Sequence, residues 1–165
     1  RLVSEITGVD LGSFMDELIY GTGELPLAEL LASVGIEAVR RVAKNSQDKG
    51  GKDSEGELPA VDFGALLKDA EAGISIQRVT EAGSAQNAGL SAGDQVIAID
   101  GLKLNLVQLE KKLLLAGPGD RWQVHAFRRD ELHQFDVLLQ AAEKNTFVLK
   151  ITDQEQDSRI DWLEG

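Results

Sequence analysis

The chain has 165 residues, 42% of them hydrophobic and 27% charged, which is typical of one or two small soluble domains with enough apolar residues for a core. It contains no cysteine, so disulfides and thiolate metal sites are excluded, and no apolar run approaches the length of a membrane span. The formal net charge of −11 is spread along the chain and disfavours nucleic acid and anionic membranes as partners, because like charges repel.

The first part of the chain carries two predicted helices and a weak strand. Apolar residues at helical spacing predict helices over 10–20 and 26–34, and a strand pattern covers 36–42. Elements this short cannot bury their apolar faces by themselves. Because the chain also begins at Arg1, we expect residues 1–43 to be the C-terminal helices of an upstream domain in a longer protein.

A linker is predicted after these helices. Residues 44–57, KNSQDKGGKDSEGE, contain no large apolar residue. Such a segment cannot bury enough apolar surface to offset its ordering entropy. We therefore predict a flexible linker or mobile loop at 44–57, a compact domain at 58–142 and a C-terminal tail at 143–165, in which TFVLKI has a strand pattern.

The compact region combines short strands with two helices. A short helix covers 84–89 with Ser84 as its predicted N-cap, and a longer helix covers 106–116 with Asn105 as its N-cap. Apolar and alternating runs predict strands at 63–68, 74–79, 95–99, 121–128 and 133–139. We therefore predict an α+β fold, a partly open β-barrel or sandwich of five to six strands with two helices, preceded by a small helical remnant of the upstream domain.

The sequence shows no recognisable catalytic or metal site. The two histidines, His125 and His133, do not form a pair at helical spacing, and no HExxH motif is present. No GxxxxGK[ST] phosphate loop occurs. We expect both histidines to be structural, with His125 facing solvent, and we expect no catalytic residue, metal or cofactor in this segment.

Peptide binding is the function that the remaining pattern favours. In DFGALLKD, residues 62–69, a glycine turn opens a short strand, and the amides of Phe63, Gly64 and Ala65 suit a carboxylate. The strand edge can pair with an extended peptide, and the leucine face of the helix over 106–116 either supplies side-chain pockets or is simply core. The candidate peptide-binding residues are Phe63, Gly64, Ala65, Leu66, Leu106, Leu109 and Leu113.

The stretch GSAQNAGLSAGDQVIAIDG, residues 83–101, closely resembles the core signature of PDZ domains. In that signature Gly89 ends the short helix in a conformation that glycine adopts easily. The segment from Phe63 to Leu66 fits the place of the carboxylate loop, and the element order is similar to the bacterial arrangement. This resemblance implies binding of an extended peptide or a protein C-terminus by strand addition. The helix near Leu106 lacks the histidine with which many animal PDZ domains select Ser or Thr, so an apolar ligand side chain is expected.

The flanking segments resemble one family of zinc peptidases. DLGSFMDELIYGTGELPLAELLASVGIE, residues 10–37, and GPGDRWQVHAFRRDEL, residues 117–132, are similar to the glycyl aminopeptidases, which have a thermolysin-like catalytic domain followed by a PDZ domain. The resemblance implies that zinc and the catalytic residues belong to a catalytic domain that is missing here, because no residue of this chain matches them. It also implies that this catalytic domain is a partner, and we expect a cytoplasmic location, with the periplasm as the alternative.

Two alternative functions remain open at this point. The chain resembles the PDZ domain of a trypsin-like periplasmic protease in its signature, although the helical pattern of residues 10–34 does not fit the end of a β-barrel. The PDZ fold could also be purely structural, packing on the catalytic domain without binding a peptide.

Overall fold

The computed structural model describes residues 27–32, 35–53 and 56–152. The helix predicted over 10–20 lies outside the described residues. The chain divides into two compact units, and the larger one is Val39–Leu149, which includes residues 58–142. Among the described residues, none of the helices has the length and hydrophobicity of a membrane-spanning segment.

The described residues form three helices and ten strands. The helices are α1 (Leu27–Ala32), α2 (Ser84–Asn87) and α3 (Leu106–Leu115). The strands are β1 (Ile36–Arg41), β2 (Val61–Asp62), β3 (Ala65–Ala70), β4 (Gly73–Val79), β5 (Gln95–Ile99), β6 (Leu102–Lys103), β7 (Arg121–Arg128), β8 (Glu131–Leu138), β9 (Gln140–Ala141) and β10 (Thr146–Ile151). Strands β2, β6 and β9 are absent from the sequence-based prediction, because two residues are too few to show the alternation of apolar and polar residues that indicates a strand.

The main sheet is antiparallel and open. Its strand order is β3-β4-β5-β7-β8, with β6 paired to β5 beside this path. Two further two-stranded sheets pair β2 with β9 and β1 with β10. The predicted mixed fold of strands and helices is therefore confirmed in its open form. In the described part of the chain, β3 lies at the end of the strand order, so one of its edges carries no strand.

Helix α3 forms where the sequence places its cap. The Asn105 side chain accepts a hydrogen bond from the Gln108 amide, and the Gln108 side chain accepts one from the Asn105 amide, each 2.9 Å long. This capping box satisfies two of the amides that a helix start leaves unpaired. Leu109 is fully buried, and it packs in one core with the inward-facing residues of β7, which are Trp122, Val124 and Ala126.

The short helix α2 begins differently from the prediction. Gly83 is its N-cap, and Ser84, which is buried, makes no capping hydrogen bond. The Ser84 hydroxyl instead donates to the Asp62 carbonyl at 2.9 Å and accepts from the Gln140 amide at 3.0 Å. Ser84 therefore ties α2 to β2 and β9, and the predicted capping role is wrong because these long-range partners occupy the hydroxyl.

The aspartate of the glycine-rich stretch is a structural ion-pair partner. Asp94 is 1% exposed, and its carboxylate accepts from Arg128 Nε at 2.8 Å, Arg128 Nη2 at 2.7 Å and the Ser91 amide at 2.8 Å. Arg128 also donates to the Gly89 carbonyl at 2.8 Å. Burial opposes the charge of Asp94, yet the hydrogen bonds from Arg128 and Ser91 hold its pKa below the ordinary value.

The described part of the smaller unit contains α1 and the turn that follows it. The Gly35 amide donates to the Ala32 carbonyl at 3.0 Å, and Gly35 has a φ of 69°, which glycine adopts without a steric penalty. The Gly35 carbonyl then accepts from the Thr152 amide at 2.9 Å. Gly35 thus forms part of the turn after α1.

Candidate peptide-binding groove

A groove runs between β3 and α3 within the larger unit. It encloses a cavity of about 260 Å³. Phe63, Ala65 and Leu66 line it from the β3 side, and Glu110 and Leu113 line it from α3. The rest of the lining consists of residues 42–46 and Asp48 of the preceding segment, Pro59, Val61, Asp62 and Leu67, Arg78 and Thr80 at the end of β4, and Ala142, Glu143, Asn145 and Thr146 after β9.

The turn that opens β3 requires glycine. Gly64 has a φ of 75°, and a Cβ atom there would lie 2.7 Å from the Ser84 nitrogen, too close for any side chain. The Gly64 carbonyl accepts from the Thr80 amide at 2.8 Å, and the Gly64 amide donates to Asp62 Oδ1 at 2.9 Å. One of the three amides that we predicted for a ligand carboxylate is therefore already bonded to a carboxylate of the chain itself.

The surroundings of this turn are acidic. A smaller cavity of about 90 Å³ adjoins Gly64, and its lining contains Asp62, Glu81 and Glu143 but no lysine or arginine. Like charges disfavour a ligand carboxylate at such a place. The turn thus has the backbone shape of a carboxylate loop without a basic side chain among the residues lining that cavity.

The edge of β3 has hydrogen-bonding partners outside the sheet. The Leu67 amide donates to Ser46 Oγ at 3.2 Å, and the Leu67 carbonyl accepts from Gln47 Nε2 at 3.0 Å. The Leu67 side chain is buried, so only its backbone faces these partners. A peptide strand added to β3 would need the same two backbone groups.

The three predicted leucines of α3 have different positions. Leu106 and Leu109 are buried in the core and do not line the cavity, whereas Leu113 is half-buried and does. The Leu106 amide donates to Asp69 Oδ1 at 3.1 Å, which joins the start of α3 to β3. Of the seven predicted residues, the cavity contacts Phe63, Ala65, Leu66 and Leu113.

Glu110 is a groove residue that the sequence analysis missed. Burial raises its pKa above the ordinary value, and the charge of Asp69 adds to the effect. Its spacing could have indicated this position, because Glu110 lies four residues after Leu106 and three before Leu113 on one helix face. The groove wall is therefore not wholly apolar.

The histidines do not form a site in the described chain. His125 is half-buried rather than solvent-facing as predicted, and its buried Nδ1 has no hydrogen-bond partner among the described residues. His133 Nε2 lies 3.6 Å from Glu131 Oε2 on β8. Among the described residues, no group of three or more His, Cys, Asp or Glu side chains could hold a metal ion.

The fold and the groove identify the class of domain. Residues 61–139 match the family model of the PDZ domain, and this range contains β3, α3 and the glycine-rich stretch between them. The chain therefore carries a PDZ domain, and the resemblance predicted from residues 83–101 is confirmed. No curated protein sequence matches the chain significantly.

Solved structures extend the similarity beyond the PDZ domain. The chain is 36% identical to an aminopeptidase N family protein from Idiomarina loihiensis, with a TM-score of 0.85 over 95% of this chain and 26% of that protein. The chain thus spans about a quarter of the length of that relative. A variant of the HtrA-type protease AlgW, solved with a decapeptide, is 17% identical with a TM-score of 0.50, covering 55% of this chain and 32% of that one. This second similarity shows the fold alone.

Proposed function

We propose that this chain is the non-catalytic peptide-binding module of a zinc aminopeptidase. The observation that carries the proposal is the edge of β3, where the Leu67 amide and carbonyl face away from the sheet beside a cavity of about 260 Å³. An extended peptide would add to this edge as a strand, and the outward-facing backbone groups would supply its main-chain hydrogen bonds in place of those to Ser46 and Gln47.

The proposed parent enzyme rests on the aminopeptidase relative. The similarity covers 95% of this chain, so it includes residues on both sides of the PDZ domain. In this proposal the zinc ion and the residues that cleave peptides belong to the catalytic domain of the parent. The PDZ domain would hold a peptide or protein partner near that catalytic domain, and the catalytic domain itself would be its second partner.

An apolar side chain of the ligand would fit the apolar part of the groove, which charged residues also line. Phe63, Ala65 and Leu113 would contact this side chain. Glu110 would pair with a polar or basic side chain at a neighbouring position of the ligand. Because the Gly64 amide is bonded to Asp62 and the adjoining cavity is acidic, a free carboxylate gains little here. We therefore expect internal or amidated peptides to bind at least as tightly as peptides with a free C-terminus.

The test is a binding screen with paired peptides. Decapeptides with apolar residues near their C-terminus would be titrated against the chain, each in a free and an amidated form, by fluorescence anisotropy. We expect micromolar dissociation constants, about −8 kcal/mol, because a short peptide also loses conformational freedom on binding. Absence of binding at millimolar concentrations of both forms would overturn the proposal.

A matched pair of helix variants locates the groove. Leu113→Asp introduces a charge into the cavity, whereas Leu115→Asp introduces the same charge on the same helix at a side chain that is 89% exposed. We expect Leu113→Asp to weaken peptide binding about tenfold or more and Leu115→Asp to leave it unchanged. Circular dichroism would verify that both variants fold. Equal binding by both variants would place the peptide elsewhere.

A structural role is the second candidate. It is favoured by the fact that the Leu67 backbone groups and the Gly64 amide already have partners within the chain. In this case the domain would pack on the catalytic domain, and deleting it would lower the thermal stability of the parent enzyme while no peptide binds.

A further inference from the structure

The segment before the PDZ domain occupies the edge of β3. We call residues 44–50 the latch segment. Ser46 and Gln47 direct their side chains to the backbone of Leu67, one as acceptor and one as donor. They therefore take both backbone groups of one residue at the edge that the proposed ligand would use. This differs from the flexible linker predicted for residues 44–57, because the segment is held by hydrogen bonds rather than by apolar contacts.

Asp48 fixes the shape of the latch segment. Its carboxylate accepts hydrogen bonds from the Arg41 guanidinium, from the Lys44 amide at 2.8 Å and from the Gly50 amide at 2.9 Å. The hydrogen bond with Arg41 and these backbone amides hold the pKa of Asp48 well below its ordinary value. The side chains of Arg41 and Asp48 are 11% and 12% exposed, so the pair is largely shielded from water. The Asp48 carboxylate thus holds Lys44 and Gly50, the two ends of the latch segment, close together.

The far end of the latch segment is pinned to β10. Gly50 has a φ of 72°, and a Cβ atom there would lie 2.4 Å from the Phe147 carbonyl oxygen. The Gly51 amide donates to the same carbonyl at 2.8 Å, and the Leu149 amide donates to the Gly51 carbonyl at 3.0 Å. This close approach tolerates only glycine at position 50, so the latch segment is anchored on both sides of Ser46 and Gln47.

We propose that the latch segment is an internal competitor of the peptide, so that the groove opens only when residues 44–50 leave β3. The inference rests on the proposed function. A backbone amide has a single hydrogen, so the Leu67 amide cannot serve Ser46 and a ligand strand together. The apparent affinity for a peptide is then reduced by the fraction of molecules in which the latch segment is released. Anything that pulls on residues 44–50 from the upstream side would raise that fraction.

Two independent variants release the latch segment. Ser46→Ala with Gln47→Ala removes both hydrogen bonds to Leu67, and Gly50→Ala introduces the clash with Phe147. Lys49→Ala is the matched control, because Lys49 is an exposed residue of the same segment. We expect both releasing variants to bind the amidated apolar peptides about tenfold more tightly than the unaltered chain, and the control to bind equally.

Hydrogen exchange of the Leu67 amide measures, without any peptide, whether the latch segment is bound to β3. We expect the Leu67 amide to lose protection in Ser46→Ala with Gln47→Ala and to keep it in Lys49→Ala. If the unaltered chain and the releasing variants bind the peptide with equal affinity, the inference is overturned. The proposed function would still hold in that case. Absence of binding in every variant, including those with an unprotected Leu67 amide, would overturn the proposed function and the inference with it. Binding by the unaltered chain that becomes about tenfold tighter in both releasing variants would support both.

Discussion

Replacing Asp94 by alanine tests the role that we assign to the glycine-rich stretch. Asp94 is 1% exposed and joins the turn before β5 to Arg128 at the end of β7. The substitution removes two hydrogen bonds from the Arg128 guanidinium and one from the Ser91 amide. The Arg128 guanidinium then keeps its hydrogen bond to the Gly89 carbonyl and its position over the Phe135 ring, 5.2 Å from the ring centroid.

The expected cost follows from the environment of the pair. Removing one partner of a buried ion pair typically lowers the free energy of unfolding by about 3–5 kcal/mol. The Arg128 side chain is 35% exposed, so water can solvate part of its charge after the substitution. We therefore expect Asp94→Ala to lower the free energy of unfolding by about 2–3 kcal/mol, below the range for a fully buried pair.

Urea denaturation of the whole chain, followed by tryptophan fluorescence, measures this loss. Glu131→Ala is the control, because Glu131 is 81% exposed and its contact with His133 is long, so we expect a change within about 0.5 kcal/mol. A loss of less than about 0.5 kcal/mol for Asp94→Ala would refute the reasoning, since the pair would then contribute no more than a surface contact.

Two further predictions concern the cap of α3 and the pH dependence of the latch segment. Asn105→Ala removes the capping box with Gln108 and should lower the free energy of unfolding by about 1 kcal/mol, measured by thermal denaturation; an unchanged midpoint would contradict it. The pKa of Asp48 is lowered from 3.8, chiefly by its hydrogen bond with Arg41, so its stabilisation is complete above that ordinary value and is lost only as the pH falls through the lower folded pKa. The protection factor of the Leu67 amide should therefore stay constant from about pH 7 to about pH 5, and a marked loss within that interval would contradict the role of Asp48.

Much of the fold could be predicted from local pattern. The inward residues of β7 alternate with outward ones, and Asn105 precedes a run of leucines, so both elements show the period and the cap that form them. The positive φ of Gly89 is likewise implied by its place after a short helix. These features depend on residues that are close together in the sequence, so the sequence alone is enough to predict them.

The latch segment could not be predicted in the same way. Residues 44–50 include no large apolar side chain, so the low hydrophobicity of the segment indicated a linker. Ser46 and Gln47 bond to a residue about twenty positions away, and Gly50 packs on a carbonyl almost a hundred positions away. Contacts of this kind between polar groups leave no periodic signal.

The candidate groove was predictable in part. The sequence identified the turn at Gly64 and the helix with Leu113, but it could not separate groove leucines from core leucines. Leu106 and Leu109 share a helix face with Leu113, and only the packing of the strands against α3 decides which of them reaches the cavity. That Asp62 bonds to the Gly64 amide was also hidden, because its side-chain direction depends on the turn.

Nuclear magnetic resonance can show whether an extended peptide adds to the edge of β3. The amide of Leu67 would be followed while an amidated apolar decapeptide is titrated into the chain labelled with nitrogen-15. We expect a large shift of the Leu67 amide, smaller shifts along β3 and at Leu113, and antiparallel contacts between the peptide backbone and β3. Shifts confined to β8 or to the exposed end of α3, with the Leu67 amide unchanged at saturation, would contradict it.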